Sequence, residues 1–194
     1  MPRRTSLRVL VAATTAALAL FTGTTGAVAA TGPSPAAPSA AATTLYYDDS
    51  QAAEFRDAVA AGARVWNENV SNVQLVRAGA GQRAQIIVLA SDGWPQANLG
   101  PVRPGGQVRV WMGRQGVEEG YDPVRIAAHE LGHSLGLPDV KPGPCSSLMS
   151  GSTAGTACTN PVPNASERAR VESNYSGTLA HHAPADGRVL VDAP

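Results

Sequence analysis

Residues 127 to 139, Ala-Ala-His-Glu-Leu-Gly-His-Ser-Leu-Gly-Leu-Pro-Asp, limit what this chain can fold into more than any other stretch. His129 and His133 are four residues apart, so on a helix their imidazoles stand above one another on one face, within reach of a single metal ion. Glu130 projects about 100° round the helix from His129, which sets it beside a water at that ion rather than in the same coordination position. Gly136 follows His133 by three residues, where glycine takes the left-handed conformation that ends a helix, and Pro138 keeps the helix from resuming. The chain must therefore turn back, and Asp139 returns toward the metal. A catalytic zinc site takes three protein ligands and leaves one position open. His129, His133 and Asp139 are accordingly the expected zinc ligands, and Glu130 the expected general base.

The competing reading, two surface histidines at helical spacing, is weakened by specificity. A bare H-E-x-x-H arises by chance in a chain of this length on the order of 1% of the time, and the added glycine and acid lower that roughly another hundredfold. Ile126, Ala127, Ala128, Leu131 and Leu135 suit a buried helix. Asp122 is the expected N-cap of that helix, with Pro123 in its first turn.

Around the motif the pattern is α+β. A short strand at Leu45–Tyr47, stopped by Asp48-Asp49-Ser50, leads into a helix capped by Ser50 and closed at Asn67-Glu68-Asn69. Residues 73–76 and 84–90 read as strands, the second central to the sheet. Residues 91–106 are rich in glycine and proline and read as a loop, and strand character resumes over 108–112. Asn164, with Glu167 three residues on, starts a final helix to Tyr175.

Residues 1–30 have a basic start, an apolar run from Val9 to Phe21 and a small-residue end at Ala27-Val28-Ala29-Ala30, the pattern of a secretory signal peptide. Residues 31–43, uncharged and rich in alanine and proline, read as a pro-segment or a linker, 44–175 as the folded domain, and 176–194 as a tail, disordered or loosely docked. Its adjacent His181 and His182 cannot face one metal from one helix face. Without Arg3, Arg4 and Arg8 the chain has 12 basic and 15 acidic residues, a net charge of about −3 with neutral histidines. That composition argues against nucleic acid and an anionic membrane as partners; the chain is expected to be secreted, as its leader implies, and to be a monomer. Outside the cell Cys145 and Cys158 are expected to pair, closing a 14-residue loop around Met149.

The motif ending at Asp139, with Gly-Pro-Cys-Ser-Ser-Leu-Met-Ser-Gly (143–151) and Cys-Thr-Asn-Pro-Val-Pro-Asn-Ala-Ser-Glu-Arg (158–168), resembles the snapalysin family, small secreted neutral proteases of the metzincin group. The resemblance implies a small metzincin-like zinc protease domain with a mixed sheet, a long active-site helix and a C-terminal helix. It implies zinc held by His129, His133 and Asp139, Glu130 as catalytic base, and Met149 in the methionine turn beneath the metal. It implies a substrate laid along strand 108–112 as the sheet edge, and offers Asp122 as a calcium ligand ahead of the helix. Where the family has tyrosine two residues after the ligand aspartate, this chain has Lys141, to be read as a charge for the oxyanion or as a solvent-facing residue. The expected reaction is hydrolysis of peptide bonds in proteins by water activated at the zinc. The alternative is a secreted zinc-binding protein without proteolytic activity, against which the presence of Glu130 argues.

Overall fold

Alternation carries the first strand further than its acidic residues predict. In β1 (Thr43–Gln51) Leu45, Tyr47 and Asp49 all point inward. Asp49 is buried because Arg77 reaches its carboxylate at 2.7 Å, with Arg56 at 3.7 Å. An inward aspartate with cationic partners continues the strand rather than stopping it. The computed structural model describes residues 41–177 and 187–194. The expected signal peptide, nearly all of the 31–43 segment, and His181-His182 lie outside the described residues.

Ser50 does not cap the first helix. Its backbone N–H donates to Asp48 Oδ1, and the helix is entered through a 3-10 turn at Ala53–Phe55 that continues as α1 (Arg56–Asn69). Four further strands follow in the order β2 (Val73–Arg77), β3 (Ile86–Ser91), β4 (Gln96–Asn98) and β5 (Val108–Gly113). After them come α2 (Arg114–Glu118), α3 (Pro123–Ser134), α4 (Ala165–Asn174) and a last strand, β6 (Val189–Val191). The sheet is ordered β2-β1-β3-β5-β4-β6, parallel from β2 through β5, with β4 antiparallel to both β5 and β6. It is the mixed sheet that was expected.

Two further expectations fail. Strand 108–112 is interior, between β3 and β4, and the strand beyond it comes from the stretch read as a loop. Glycine and proline punctuate that stretch closely, but Gln96–Asn98 still pairs with Trp111 and Val110. Gly113, where a Cβ would lie 2.2 Å from Pro95 N, lets the two chains come that close. The 176–194 tail is not loose throughout, because residues 189–191 form β6 against β4.

Helices α1 and α3 cross over the sheet and enclose the core. They meet at Gly62, where a Cβ would come 2.8 Å from Ala128 N. Trp66, fully buried, fixes the crossing by donating its indole N–H to Ala128 O at 2.8 Å. Ile86, Val88, Val110 and Met112 from the sheet share one buried apolar core with Leu131, Leu135, Leu148 and Met149. Each such buried apolar side chain contributes about 1.5–3 kcal/mol relative to exposure. No helix among the described residues is long and apolar enough to cross a membrane.

Candidate active site

Helix α3 begins as expected: Asp122 accepts the Arg125 backbone N–H at 2.8 Å, with Pro123 in the first turn. It ends at a Schellman turn. Gly136 takes φ +95°, its N–H donates to His133 O at 2.9 Å, and the Leu137 N–H donates to Gly132 O at 3.0 Å. The chain reverses there, and Asp139 comes back over the face that carries the histidines.

The reversal brings three ligand atoms together. Asp139 Oδ1 lies 3.4 Å from His129 Nε2 and 3.6 Å from His133 Nε2. Ligands about 2.0–2.1 Å from a tetrahedral zinc are separated by about 3.3–3.4 Å, so the donor set matches that ion in type and spacing. Each histidine is also oriented from behind. His129 Nδ1–H donates to Leu148 O at 3.0 Å and His133 Nδ1–H to Leu137 O at 2.7 Å. Those bonds select the tautomer whose Nε2 lone pair is free for a metal. His129 Nε2, His133 Nε2, Asp139 Oδ1 and both Glu130 carboxylate oxygens are buried with no hydrogen-bond partner among the described residues. Buried polar atoms without partners are costly, and five clustered in one place mark a site built for a cation and its water.

The electrostatics follow from this clustering. Burial pushes the Glu130 carboxyl well above its ordinary 4.5; His129 opposes that and the Asp192 and Asp139 carboxylates reinforce it. Burial pulls His129 down, but Asp192, Asp139 and Glu130 outweigh it and raise the imidazole to about 9. Burial and the charge on His129 hold His133 below its ordinary value. In the metal-free protein the second ring proton of the pair thus sits on His129, at Nε2, where a metal would displace it.

Several supports were not visible in the sequence. Arg125, buried in α3, donates to Asn160 O, to Ser147 O at 2.9 Å and to Ser150 Oγ at 3.0 Å. Glu167 caps α4 as expected, and it also accepts from the Ser147 hydroxyl at 2.7 Å and from the Met149 N–H at 2.9 Å. These two buried charges clamp the turn holding Met149, whose sulfur packs against Gly132, between the two histidines; a Cβ there would lie 2.9 Å from it. A charge within an apolar helix face was the only sequence sign of Arg125. Cys145 and Cys158 are bonded, with Cα atoms 5.5 Å apart, so the loop carrying that turn is closed covalently.

Lys141 is largely buried and does not face solvent. Its ammonium pairs with Asp192 Oδ1 at 2.6 Å and donates to Ala193 O at 3.2 Å. Asp192, absent from the expected site, brings Oδ2 to 3.9 Å from His129 Nε2. Asp122, by contrast, joins no group of potential ligands among the described residues, and the carboxylate offered for calcium serves as a helix cap.

The model of the family described as Streptomyces extracellular neutral proteinase (M7) matches residues 42–177. The chain is 42% identical over 133 residues to the extracellular small neutral protease of Streptomyces caespitosus, covering 69% of this chain and 97% of that protein. It is 38% identical over 137 residues to the protein of the same description from Streptomyces lividans, covering 71% of this chain and 59% of the relative, so this match spans less than two thirds of the relative's length. Among solved structures, an archaemetzincin from Methanopyrus kandleri aligns with a TM-score of 0.45 at 14% identity, over 71% of this chain and 97% of that one.

Proposed function

The chain belongs to the Streptomyces extracellular neutral proteinase (M7) family, and from that premise we propose that it is a secreted zinc-dependent endopeptidase acting on proteins and peptides outside the cell. The observation that carries this reading is the convergence of unpartnered His129 Nε2, His133 Nε2 and Asp139 Oδ1 beside an equally unpartnered Glu130 carboxylate. In this reading residues 1–30 export the chain, which works as a monomer.

Zinc held by His129, His133 and Asp139 supplies Lewis-acid polarisation of a carbonyl and makes water a stronger acid. Glu130 does the proton work. Its buried carboxylate takes a proton from the attacking water and returns it to the nitrogen of the departing amine, so no covalent acyl-enzyme forms. Its raised affinity for the proton makes it a stronger base than an exposed glutamate. Leu148 O and Leu137 O hold the two rings in place, sparing reorganisation as charge develops. Asp139 adds a negative charge, so the ligand set is less positive than three imidazoles.

The decisive experiment compares the parent with Glu130→Gln in casein digestion and zinc analysis, with and without a chelator. The variant is expected to keep stoichiometric zinc and lose at least about a hundredfold in activity, since a general base commonly contributes 10² to 10⁴. Near-parental turnover by a zinc-loaded Gln variant removes Glu130 from the mechanism, and hydrolysis that survives metal removal removes the zinc.

A further inference from the structure

Residues 187–194 lie beyond the stretch matched by the family model, yet they run directly past the metal-ligand cluster. β6 pairs with β4 so that Gln96 faces Val191, Ala97 faces Leu190 and Asn98 faces Val189. The ladder is secured at both ends: the Leu99 N–H donates to Arg188 O and the Asp192 N–H to Pro95 O, each at 2.8 Å. On its other flank the Ser152 N–H donates to Asp192 Oδ1 at 2.8 Å, and the Ser152 hydroxyl donates to Ala193 O at 2.8 Å. Val189 and Val191 remain 44% and 50% exposed, so apolar burial is not what holds the strand. Backbone pairing and the buried Asp192 hold it.

Asp192 is accommodated rather than squeezed in. Gly151, at φ +52°, leaves room where a Cβ would lie 2.1 Å from Asp192 Oδ1. The ligand atoms of His129, Glu130 and Asp192 all lie within 4.8 Å of one another. Asp139 and Asp192 both approach His129 Nε2, at 3.4 and 3.9 Å, and both approach the Lys141 ammonium, at 3.9 and 2.6 Å. Two carboxylates gathered beside paired imidazoles in a buried space suit a divalent ion, which would sit between the histidines and Asp192.

We propose that residues 187–193 are a built-in occupant of the cleft: β6 covers the edge of β4, and Asp192 offers its carboxylate to the metal at the position otherwise open to water. This rests on the reading of the site as a zinc peptidase. A peptide that adds to a sheet edge needs the unpaired backbone groups of that edge. β6 already uses those of β4, so the segment must leave before a substrate can bind there, and Lys141 is the latch that keeps Asp192 in place.

Two substitutions in the full chain test this. Asp192→Ala removes the carboxylate and leaves the backbone donors and acceptors of β6 in place. Leu190→Pro keeps the carboxylate and disrupts pairing opposite Ala97, since proline has no N–H to donate. For the zinc-loaded proteins, zinc transfer to a chelator, hydrogen exchange at the Leu99 amide and hydrolysis of a fluorogenic peptide in excess zinc are measured. Both variants are expected to surrender zinc at least about tenfold faster and to hydrolyse the peptide at least about tenfold faster than the parent, with Leu190→Pro also exchanging faster at Leu99. Parental zinc transfer in both variants overturns the inference, whether or not any of the proteins is active. Equal, measurable hydrolysis by parent and variants overturns it too. If none of the three hydrolyses peptide but both variants release zinc faster, the inference stands and the peptidase reading fails.

Discussion

Asp139 is the residue on which the metal site turns, because its two possible jobs differ in what they need. An aspartate after Leu137-Pro138 can serve a turn through a side-chain hydrogen bond, which asparagine does nearly as well, whereas a zinc ligand needs the negative oxygen. Asp139 Oδ1 is buried without a hydrogen-bond partner among the described residues, which is the environment of a ligand. Asp139→Asn is therefore expected to weaken zinc affinity, while Asp139→His retains the metal; competition with a chelator of known affinity measures both. Unchanged affinity in the asparagine variant would return the residue to the turn. The convergence of His129, His133 and Asp139 was legible in the sequence because helical spacing and one glycine stop fix it locally. The roles of Lys141 and Asp192 were not, because 51 residues separate them and their meeting depends on how β6 docks.

At the scale of elements, the turn after α3 and the turn carrying Met149 decide where the ligands sit. Gly136→Ala places a Cβ at φ +95°, 2.7 Å from Asn174 Nδ2 and 2.8 Å from Pro101 Cδ. The substitution is expected to cost more than about 1 kcal/mol of stability and to lower zinc affinity by displacing Asp139. Urea unfolding with chelator competition reads both effects, and a stable variant with parental affinity would show that the turn does not set the ligand. Glu167→Ala strands the buried Ser147 hydroxyl and the Met149 N–H. A loss of about 3 kcal/mol is expected in the same measurement. Sequence patterning found β2, β3 and α4, because period and capping are local signals. The family resemblance implied the sheet edge at 108–112, and patterning did not correct it because a three-residue strand between prolines and glycines leaves no periodic trace; only its pairing with β5 makes Gln96–Asn98 a strand.

For the whole molecule, burying His129 among carboxylates ties folding to pH in the metal-free chain. Its folded value of about 9 lies above the ordinary 6.5, so protonation of His129 favours the fold. That contribution is complete below about 6.5 and is lost as pH rises through about 9. Metal-free protein is thus expected to lose thermal stability across this window, whereas zinc-loaded protein, whose His129 Nε2 would carry no proton, is expected to lack that decline; scanning calorimetry of both forms checks it. Reducing Cys145–Cys158 is expected to lower stability by about 3 kcal/mol in either form, as its 14-residue loop implies in the chain-entropy model. By itself the sequence determined the zinc-motif helix, its cap at Asp122, its stop at Gly136 and the cysteine-closed loop, since each depends on residues within a few turns or on one covalent pair. Only the tertiary structure decided which strand forms the sheet edge, which buried charges clamp the methionine turn, and that Asp192 and Lys141 meet beside His129. Those outcomes depend on strand pairing and on neutralising buried charge, which couple residues that no local pattern connects.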